Sequence, residues 1–422
     1  MRLGVDFGTT NSAIAFYDGQ QLQTVIVDPA NNNPYVMPSL IYIDRTFEAT
    51  VGSQAASAYL EHETGRPVRW RQRDAGEIEV TVASVGSAGG DPIEFVQQVS
   101  VLVDEAANGR LIQSIKTALF NDRYEGTQVF GKFFRIEDLI AIVLRRLRQT
   151  AERETGEASN QIVLGRPAEF SPNPLVDSRS EAVLLKAAHL AGFTEVSFAL
   201  EPVAVAYLHH RSSRTKQTVL VFDFGGGTLD LTIAEVGGTQ PPAILAVGGA
   251  AIGGNDLDRR IMASLLPHFG GGDEGILPAD MSDKLLAWQT MPELSRPHYL
   301  EHVHRLRRGG HRQTMRALET LITSNIGFRL FKEIEQVKQQ LSETDTATLT
   351  FDYDAIQIRE TISRRRFDRM ISSDLAAIRA SVFRLLESAS LRPDQIDVVL
   401  RTGGSSLIPA VRDMLEEIFG QQ

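Results

Sequence analysis

The chain has 422 residues, 42% of them hydrophobic and 23% charged, and this length exceeds what one hydrophobic core usually serves, so two or more domains are expected. Its 43 basic and 53 acidic side chains give a formal net charge of −10, which disfavours nucleic-acid binding, and the lack of cysteine excludes disulfides, thiolate metal sites and cysteine nucleophiles. The chain opens without a targeting stretch and has no apolar run long enough to span a bilayer, which predicts a soluble, cytoplasmic protein without a membrane partner.

The first predicted element is a strand, a glycine turn and a second strand within residues 2–15. It contains Leu-Gly-Val-Asp-Phe-Gly-Thr-Thr-Asn-Ser-Ala-Ile-Ala. The same order of apolar strand, Asp-Phe-Gly, threonine and β-rich return recurs within residues 218–236. The two copies lie about half the chain apart, so two lobes that each begin with this hairpin are the simplest explanation.

The segments between and after the hairpins predict an alternation of helices and strands. Hydrophobic periodicity predicts helices over residues 136–154 and 180–191, with a short buried strand over 161–165 between them. Residues 270–297 contain several glycines and prolines and are expected to form a surface excursion. Long helices of mixed charge are expected over 302–341.

These patterns divide the chain into two predicted lobes. The first lobe covers residues 1–217, with an inserted subdomain at roughly 40–132. The second lobe covers residues 218–422, with an inserted subdomain at roughly 254–372. A peptide-binding domain is not expected within this sequence.

The two glycine turns predict a phosphate site, because glycine lets backbone N–H groups close around phosphate oxygens. The turns comprise Gly8, Thr9, Thr10 and Asn11, and Gly225, Gly226, Gly227 and Thr228. Asp6 and Asp223 precede the turns and Asp230 follows the second, which suits a hydrated magnesium ion held by few carboxylates. Either turn alone would be interpreted as an ordinary hairpin, but the duplication favours binding of a magnesium–nucleotide complex.

Several segments closely resemble the nucleotide-binding domain of DnaK-type heat-shock chaperones. They are residues 6–12, 201–207, 223–230, 252–258, 335–342 and 402–409. The resemblance runs from Leu3 to about Phe419, and its wording is most similar to the short YegD-like branch. It implies an actin-like ATPase fold, in which two lobes, each with a ribonuclease-H-like mixed sheet and inserted subdomains, enclose a nucleotide cleft. ATP or ADP and Mg²⁺ would be the cofactors.

The resemblance also implies roles for individual residues. It assigns catalysis to Lys116, Glu201, Asp223, Thr228 and Asp230, and water-mediated magnesium binding to Asp6 and Asp223. It assigns nucleotide contacts to Gly8, Thr9, Thr10, Asn11, Gly225, Gly226, Gly227, Gly253, Gly254, Glu335, Lys338, Ser342, Gly403, Gly404 and Ser405. Other interpretations stay open, because a lysine between two apolar positions is also typical of a solvated helix residue, residues 335–342 also fit a plain amphipathic helix, and residues 403–409 also fit a strand-to-helix turn.

The chain departs from the family pattern at the adenine and at its end. Family members place an arginine on each face of the base, whereas this chain has Gln339 and Leu407, so looser base selectivity is expected. In the family a second connector between the lobes follows the last helix, which here ends close to Gln422. An open cleft is therefore expected without nucleotide, with the two metal-binding aspartates too far apart to share an ion.

Three functional classes remain in contention. The favoured one is a chaperone-like protein that binds and slowly hydrolyses ATP, with nucleotide-dependent lobe closure and a possible protein partner or client. A catalytically silent nucleotide sensor or actin-like scaffold, and an actin-fold small-molecule kinase, are the alternatives. The basic stretches at residues 302–316 and 364–367 are interpreted as solvated helix faces, and no P-loop motif is present.

Overall fold

The computed structural model describes residues 2–82, 93–121, 123–167, 170–171, 173–213, 215–238, 241–272 and 275–420. Its strands are β1 Arg2–Phe7, β2 Asn11–Tyr17, β3 Leu22–Thr24, β4 Met37–Pro38, β5 Leu40–Asp44, β6 Ala49–Val51, β7 Trp70–Val82, β8 Ile93–Asp104, β9 Gly109–Gln113, β10 Gly126–Val129, β11 Lys132–Arg135, β12 Gln161–Arg166, β13 Glu195–Leu200, β14 Gln217–Phe224, β15 Leu229–Val236, β16 Ala243–Ala250, β17 Thr346–Tyr353, β18 Ile356–Ser363 and β19 Val398–Thr402. Its α-helices are α1 Ser53–Glu63, α2 Ile136–Thr155, α3 Pro174–Leu190, α4 Glu201–Ser212, α5 Gly254–Leu265, α6 Ala279–Leu285, α7 Pro297–Arg308, α8 Arg312–Thr323, α9 Gly327–Glu343, α10 Arg364–Met370, α11 Ser372–Ser388 and α12 Pro409–Phe419. Short 3₁₀ helices cover Ile115–Phe120, Leu266–Phe269, Met291–Ser295, Pro393–Gln395 and Gly404–Leu407.

Two sheets repeat one topology. The first sheet has the order β13-β12-β1-β2-β3, with β4 paired to β2, and the second has the order β16-β15-β14-β19. In each sheet, the two strands that flank a glycine turn form an antiparallel hairpin, β1 with β2 and β14 with β15. A parallel strand lies on the other side of each hairpin, β12 beside β1 and β19 beside β14. The duplication that the sequence predicts is therefore confirmed at the level of strand pairing.

The burial of the two hairpins reflects how their sequences alternate. Strand β1 buries Leu3, Val5 and Phe7 on one face, as a period of two requires. Strand β14 instead buries every residue from Val219 to Phe222, because both of its faces are covered. In both strands the last residue but one is an aspartate, Asp6 in β1 and Asp223 in β14, so each aspartate lies next to a glycine turn.

Helix α4 crosses from the first sheet to the second. Strand β13 ends at Leu200 and α4 begins at the next residue. Ala206 of this helix is fully buried in one cluster with Val219 and Val221 of β14 and with Ala234 of β15. Helix α4 thus begins with Glu201 at the end of a strand of the first sheet and packs against the second sheet. Within the described residues, no helix combines the length and apolar character needed to cross a bilayer.

The prediction of a surface excursion at residues 270–297 is wrong. The segment contributes Met281, Leu285, Trp288, Met291 and Leu294 to the large core beside the second sheet, and all five side chains are buried. The glycines and prolines here delimit short helices rather than an exposed loop. The helices predicted for residues 302–341 are confirmed as α7, α8 and α9.

Segments inserted into the two halves of the chain share one hydrophobic core. Tyr59 of α1 packs edge-to-face against Phe328, with ring centroids 5.3 Å apart, and lies 5.7 Å from the ring of Trp288. Asn325, in the turn between α8 and α9, has the left-handed φ of 50° that asparagine tolerates. Its side-chain amide donates to the Tyr59 hydroxyl at 3.0 Å and to the Glu63 carbonyl at 3.1 Å. These buried contacts join the two halves of the chain through residues that are far from α4 in the sequence.

Replacing Tyr59 should loosen this join. We expect Tyr59→Ala to destabilise the protein by about 3–5 kcal/mol, because a buried aromatic ring is lost from the shared core. Tyr59→Phe, which removes only the hydroxyl that pairs with Asn325, should cost about 1 kcal/mol. Thermal unfolding and small-angle scattering of both variants check this, with a larger radius of gyration expected for Tyr59→Ala alone. Unchanged unfolding of Tyr59→Ala would contradict the join.

Candidate functional site

The two glycine turns meet face to face. A Cβ atom placed on Gly226 would lie 2.1 Å from Cγ2 of Thr10, and one on Gly227 would lie 2.6 Å from Cγ2 of Thr9. Only glycine allows this approach, because real Cβ atoms do not come so close to another side chain. This contact between the turns contradicts the expectation of an open cleft, whereas the expected separation of Asp6 and Asp223 stays a prediction. The contacts of α4 and of the shared core hold both turns in place.

A serine distant in sequence fixes the first turn. The Ser39 amide donates to the Thr10 carbonyl at 2.8 Å, and its hydroxyl donates to the Gly8 carbonyl at 2.8 Å. The same hydroxyl lies 2.9 Å from the hydroxyl of Ser12. Ser39 could not be identified from the sequence, because a lone serine 31 residues from Gly8 belongs to no recognisable motif.

A buried lysine lies beside the turns. Lys116 is in the 3₁₀ helix Ile115–Phe120 and only 7% exposed. Its Nζ donates to both carboxylate oxygens of Glu201, at 2.8 and 3.1 Å. Burial alone would lower the pKa of Lys116, but attraction from Glu201 and Asp6 outweighs it and holds the pKa above its usual value. The alternative of a solvated helix lysine is excluded.

Three further carboxylates surround this ion pair. Loss of hydration in the cleft, followed by repulsion from Glu201, raises the pKa of Asp6 to about 6. Loss of hydration and repulsion from Asp230 and Glu201 raise the pKa of Asp223 to about 7. The pKa of Asp230 is also raised by its burial, although Lys116 and a 2.8 Å hydrogen bond from the Thr228 hydroxyl oppose this. The site therefore carries more negative charge than its single lysine balances.

This donor set fits a hydrated divalent cation. Among the described residues, no three His, Cys, Asp or Glu side chains are grouped so that they could hold a metal ion. Asp6 and Asp223 are the residues that would hold a magnesium ion through water, while the phosphates that accompany it would lie against the turns. The excess negative charge supplies the attraction for such an ion.

The segment that begins α5 supports the second turn from behind. The Gly254 amide donates to the Gly225 carbonyl at 3.0 Å, and the Asn255 amide donates to the Gly226 carbonyl at 2.8 Å. A Cβ atom on Gly253 would lie 2.3 Å from the Gly226 carbonyl oxygen. Gly253 and Gly254 therefore shape the second turn, and the Gly254 amide is already engaged by backbone.

Lys338 connects α9 to this same segment. Its Nζ lies 2.8 Å from one carboxylate oxygen of Asp258 and donates to the Gly254 carbonyl at 3.0 Å. The Ser405 hydroxyl donates to the Gly225 carbonyl at 2.9 Å, so the loop after β19 reaches the same turn. The sequence alone assigns no role to Asp258. Its position could have indicated one, because residues four apart, such as Gly254 and Asp258, lie on the same face of a helix.

Other predicted residues lie at the edge of this group. Glu335 forms an ion pair with Lys332 at 2.7 Å, and the Ser342 hydroxyl donates to the Lys338 carbonyl at 3.4 Å. Gly403 has a φ of 80°, and a Cβ there would meet the Phe224 carbonyl oxygen at 2.4 Å. Gly404 and Asn11 are exposed.

The two positions that depart from the family pattern are open to solvent. Gln339 is exposed on α9, and Leu407 is 66% exposed in the loop after β19. Neither side chain carries a charge that could lie over an aromatic base. The structure thus leaves both faces of the expected base position without a cation from these residues.

Comparison with known proteins agrees with the fold. A family model described as Hsp70 protein matches residues 105–295 and 315–422. The chain is 26% identical to the chaperone protein DnaK of Thermus thermophilus, 27% identical to the chaperone protein dnaK of Cyanidioschyzon merolae and 26% identical to the heat shock 70 kDa protein 7, chloroplastic, of Arabidopsis thaliana. Each alignment covers the whole chain but only 57%, 58% and 49% of the relative.

These matches confirm the predicted resemblance to a DnaK-type nucleotide-binding domain and the actin-like fold class. They do not single out the YegD-like branch, which stays a prediction, as do the lobe boundaries.

The excess of negative charge at the site predicts that the stability of the folded protein depends on pH. Because the folded state holds a proton on Asp223 up to about pH 7 and the unfolded state only to about pH 4, stability should fall as pH rises between these values. In the presence of a metal chelator, Asp223→Asn should therefore raise the unfolding temperature at pH 8 by about 2 °C or more, and have little effect near pH 4. Thermal unfolding across this range checks it, with Asp352→Asn at an exposed position of β17 as the control. Equal curves for Asp223→Asn and wild type would contradict the charge excess.

Proposed function

Because the chain belongs to the Hsp70 family, we propose that it binds ATP or ADP with Mg²⁺ between the two glycine turns and slowly hydrolyses the ATP. The observation that carries this proposal is the ring of carboxylates around one buried lysine at the contact of the two turns. Since the chain spans about half the length of the relatives that it matches, chaperone activity toward a protein client is likewise a proposal. A cytoplasmic location and the absence of nucleic-acid partners remain predictions.

The two turns would hold the phosphates through backbone N–H groups, with Thr9, Thr10 and Thr228 adding hydroxyl donors. Bound Mg²⁺ would neutralise phosphate charge, held through water by Asp6 and Asp223. Their raised pKa values mean that binding of the cation releases protons below about pH 7.

Hydrolysis would rest on positioning and charge rather than on covalent chemistry. Lys116 offers a fixed positive charge, and its two hydrogen bonds to Glu201 define its direction. The Asp230 carboxylate, oriented by the Thr228 hydroxyl, would accept a hydrogen bond from the attacking water. The water oxygen forms a bond to the terminal phosphorus as the bond to the ADP oxygen breaks.

Nucleotide-dependent lobe closure is part of the proposal. With the turns already in contact, a nucleotide can enter or leave only if they separate. Such opening must pivot on α4 and strain or break the contacts of Tyr59 with Asn325 and Phe328. A ligand that bridges both turns then favours the closed arrangement by its differential affinity.

The nucleoside would lie against α9 and the loop after β19. Lys338, Gly254 and Ser405 are brought together there, and Gly403 and Gly404 allow a close approach of backbone. Because Gln339 and Leu407 supply no cation, the base should be held less selectively than a pair of guanidinium groups would hold it.

The alternatives remain distinguishable. A catalytically silent nucleotide sensor or scaffold would bind the same ligands without turnover. A small-molecule kinase would transfer phosphate to an acceptor hydroxyl, which a phosphotransfer assay over common sugars detects. No particular feature of the site favours the kinase.

Calorimetric titration with ATP, ADP and GTP, with and without Mg²⁺, tests nucleotide binding. We expect tight binding only with Mg²⁺, and a smaller difference between ATP and GTP than stacked arginines would give. Asp223→Ala should remove the dependence on Mg²⁺ while the protein stays folded, whereas Asp352→Ala should behave as wild type. A wild-type protein without response to ATP or ADP in the presence of Mg²⁺ would refute the proposal.

Steady-state phosphate release tests hydrolysis. Lys116→Ala should lower turnover on the order of 100-fold, because a single charge aimed at the transferring phosphoryl group is lost. ADP binding should survive in this variant, which also verifies that it folds. Lys216→Ala, an exposed lysine paired with Glu235, is the matched control. Unchanged turnover in Lys116→Ala would remove this residue from the mechanism.

A further inference from the structure

A groove follows α2 on the outside of the molecule, away from the glycine turns. It consists of two adjoining cavities of about 610 and 480 Å³ that share Gln54 and Arg146 in their walls. The lining extends along α2 from Asp138 to Glu154, which corresponds to a length of roughly 24 Å. About seven residues of extended chain fit this length.

The rim of the larger cavity is held by two interlocked hairpin turns. Arg45 of the β5–β6 turn lies 4.6 Å from the ring centre of Phe130, and Lys132 of the β10–β11 hairpin lies 4.9 Å from the ring centre of Phe47. Each turn thus places a cation over an aromatic ring of the other. Phe47 and Phe130 have φ values of 66° and 49°, a region that bulky side chains rarely adopt. The turns therefore hold their aromatic rings in a fixed, strained position.

The rim exposes apolar surface that nothing in the described structure covers. Phe133 is 48% exposed, Leu190 is 43% exposed, and Phe47 is 38% exposed. All three line the larger cavity, whose floor includes Ala141 and Ile142 of α2. One large apolar side chain of a ligand would fit between these residues.

The groove is positively charged on a protein whose net charge is −10. Its carboxylates are already engaged by backbone amides, Asp138 by Arg135 at 2.9 Å and Glu154 by Ile26 at 3.1 Å. Lys132 and Arg145 are exposed and form no ion pair within the described residues.

One cation of the groove also has an unused donor. The Nε of Arg146 is buried and has no hydrogen-bond partner in the part of the chain that the structure describes. Because protein atoms cover this Nε, a ligand in the groove would meet other atoms of the Arg146 guanidinium group. Arg146 lines both cavities, so a carboxylate paired with it would lie where they adjoin.

An exposed strand edge indicates a peptide rather than a small molecule. Strand β6 is the outer strand of the sheet β6-β5-β9, and all three of its residues line the larger cavity. An outer strand offers main-chain donors and acceptors to an extended chain that lies beside it.

We propose that this groove binds an extended acidic segment of a partner protein. The segment would lie beside β6, place one large apolar side chain between Phe133 and Leu190, and direct its carboxylates to Lys132, Arg145 and Arg146. The proposal is independent of nucleotide binding, because none of these residues belongs to the glycine turns or to the carboxylate ring.

Fluorescence anisotropy with a fluorescein-labelled peptide, Asp-Glu-Asp-Ala-Phe-Ala-Asp-Glu-Asp, tests this inference. We expect saturable binding to the full chain that weakens as salt is raised. Replacing the acidic residues of the peptide with lysine should abolish binding, and replacing its phenylalanine with serine should weaken binding about tenfold. Hydrogen exchange should show protection by the peptide at residues 47–54.

Variants of the protein supply the controls. Lys132→Glu combined with Arg145→Glu, both at exposed positions, should weaken binding at least tenfold, and Phe133→Ser about tenfold. Arg365→Glu, at an exposed arginine of α10, should bind as wild type. Melting temperatures of the variants verify their folding.

Four outcomes would overturn the proposal. They are the absence of wild-type binding up to about 1 mM peptide, an equal loss in Arg365→Glu, peptide protection elsewhere than the groove, and self-association by sedimentation that the double variant abolishes. The last would show that a second copy of the chain, not a partner segment, occupies the groove.

Discussion

One buried lysine among four carboxylates is the constraint on which the rest of the site depends. Lys116 pairs directly with Glu201, and this leaves Asp6, Asp223 and Asp230 without a cation of their own at hydrogen-bond distance in the described structure. Partial loss of hydration and repulsion between neighbouring carboxylates disfavour their charged forms, and the raised pKa values of Asp6 and Asp223 reflect this. The magnesium ion proposed for this site would offset part of this negative charge.

Contacts from distant parts of the chain offset this repulsion. Ser39 fixes the first turn through both of its hydrogen-bonding groups, and the Gly254 amide and the Ser405 hydroxyl fix the second. Helix α4 and the core around Tyr59 then hold the two halves together. Because the turns are positioned before any ligand arrives, a bound nucleotide need not spend its interaction energy on ordering them. In the proposed cycle, the same contacts would oppose opening of the cleft.

Features that a local pattern of residues encodes could be predicted from the sequence, whereas features that depend on contacts between distant residues could not. The duplicated glycine turns follow from a repeated motif, and helix α2 follows from hydrophobic periodicity. Ser39 could not be found this way, since its role arises only from the folding of β4 and β5 against the first turn. The prediction for residues 270–297 was wrong for a related reason. Glycine and proline mark the ends of short helices as well as loops. Only the packing of this segment into the core, through contacts with distant residues, distinguishes the two. The expectation of an open cleft failed because it considered connectors of the backbone and not the buried contacts between inserted segments.

Helix α2 lies between the candidate nucleotide site and the groove that we propose for a partner segment. One of its faces packs in the core that also contains Ile115 and Leu119, which flank Lys116, while its outer face forms the floor of the groove. Yet the helix buries Leu139, Ile140 and Leu144 completely, and a close-packed interior of this kind shifts as a unit or not at all. An energetic link between the two sites would require a second discrete arrangement of α2. The proposed occupant of the groove, if α2 keeps this packed arrangement, would tether the chain to a partner without altering the geometry around Lys116.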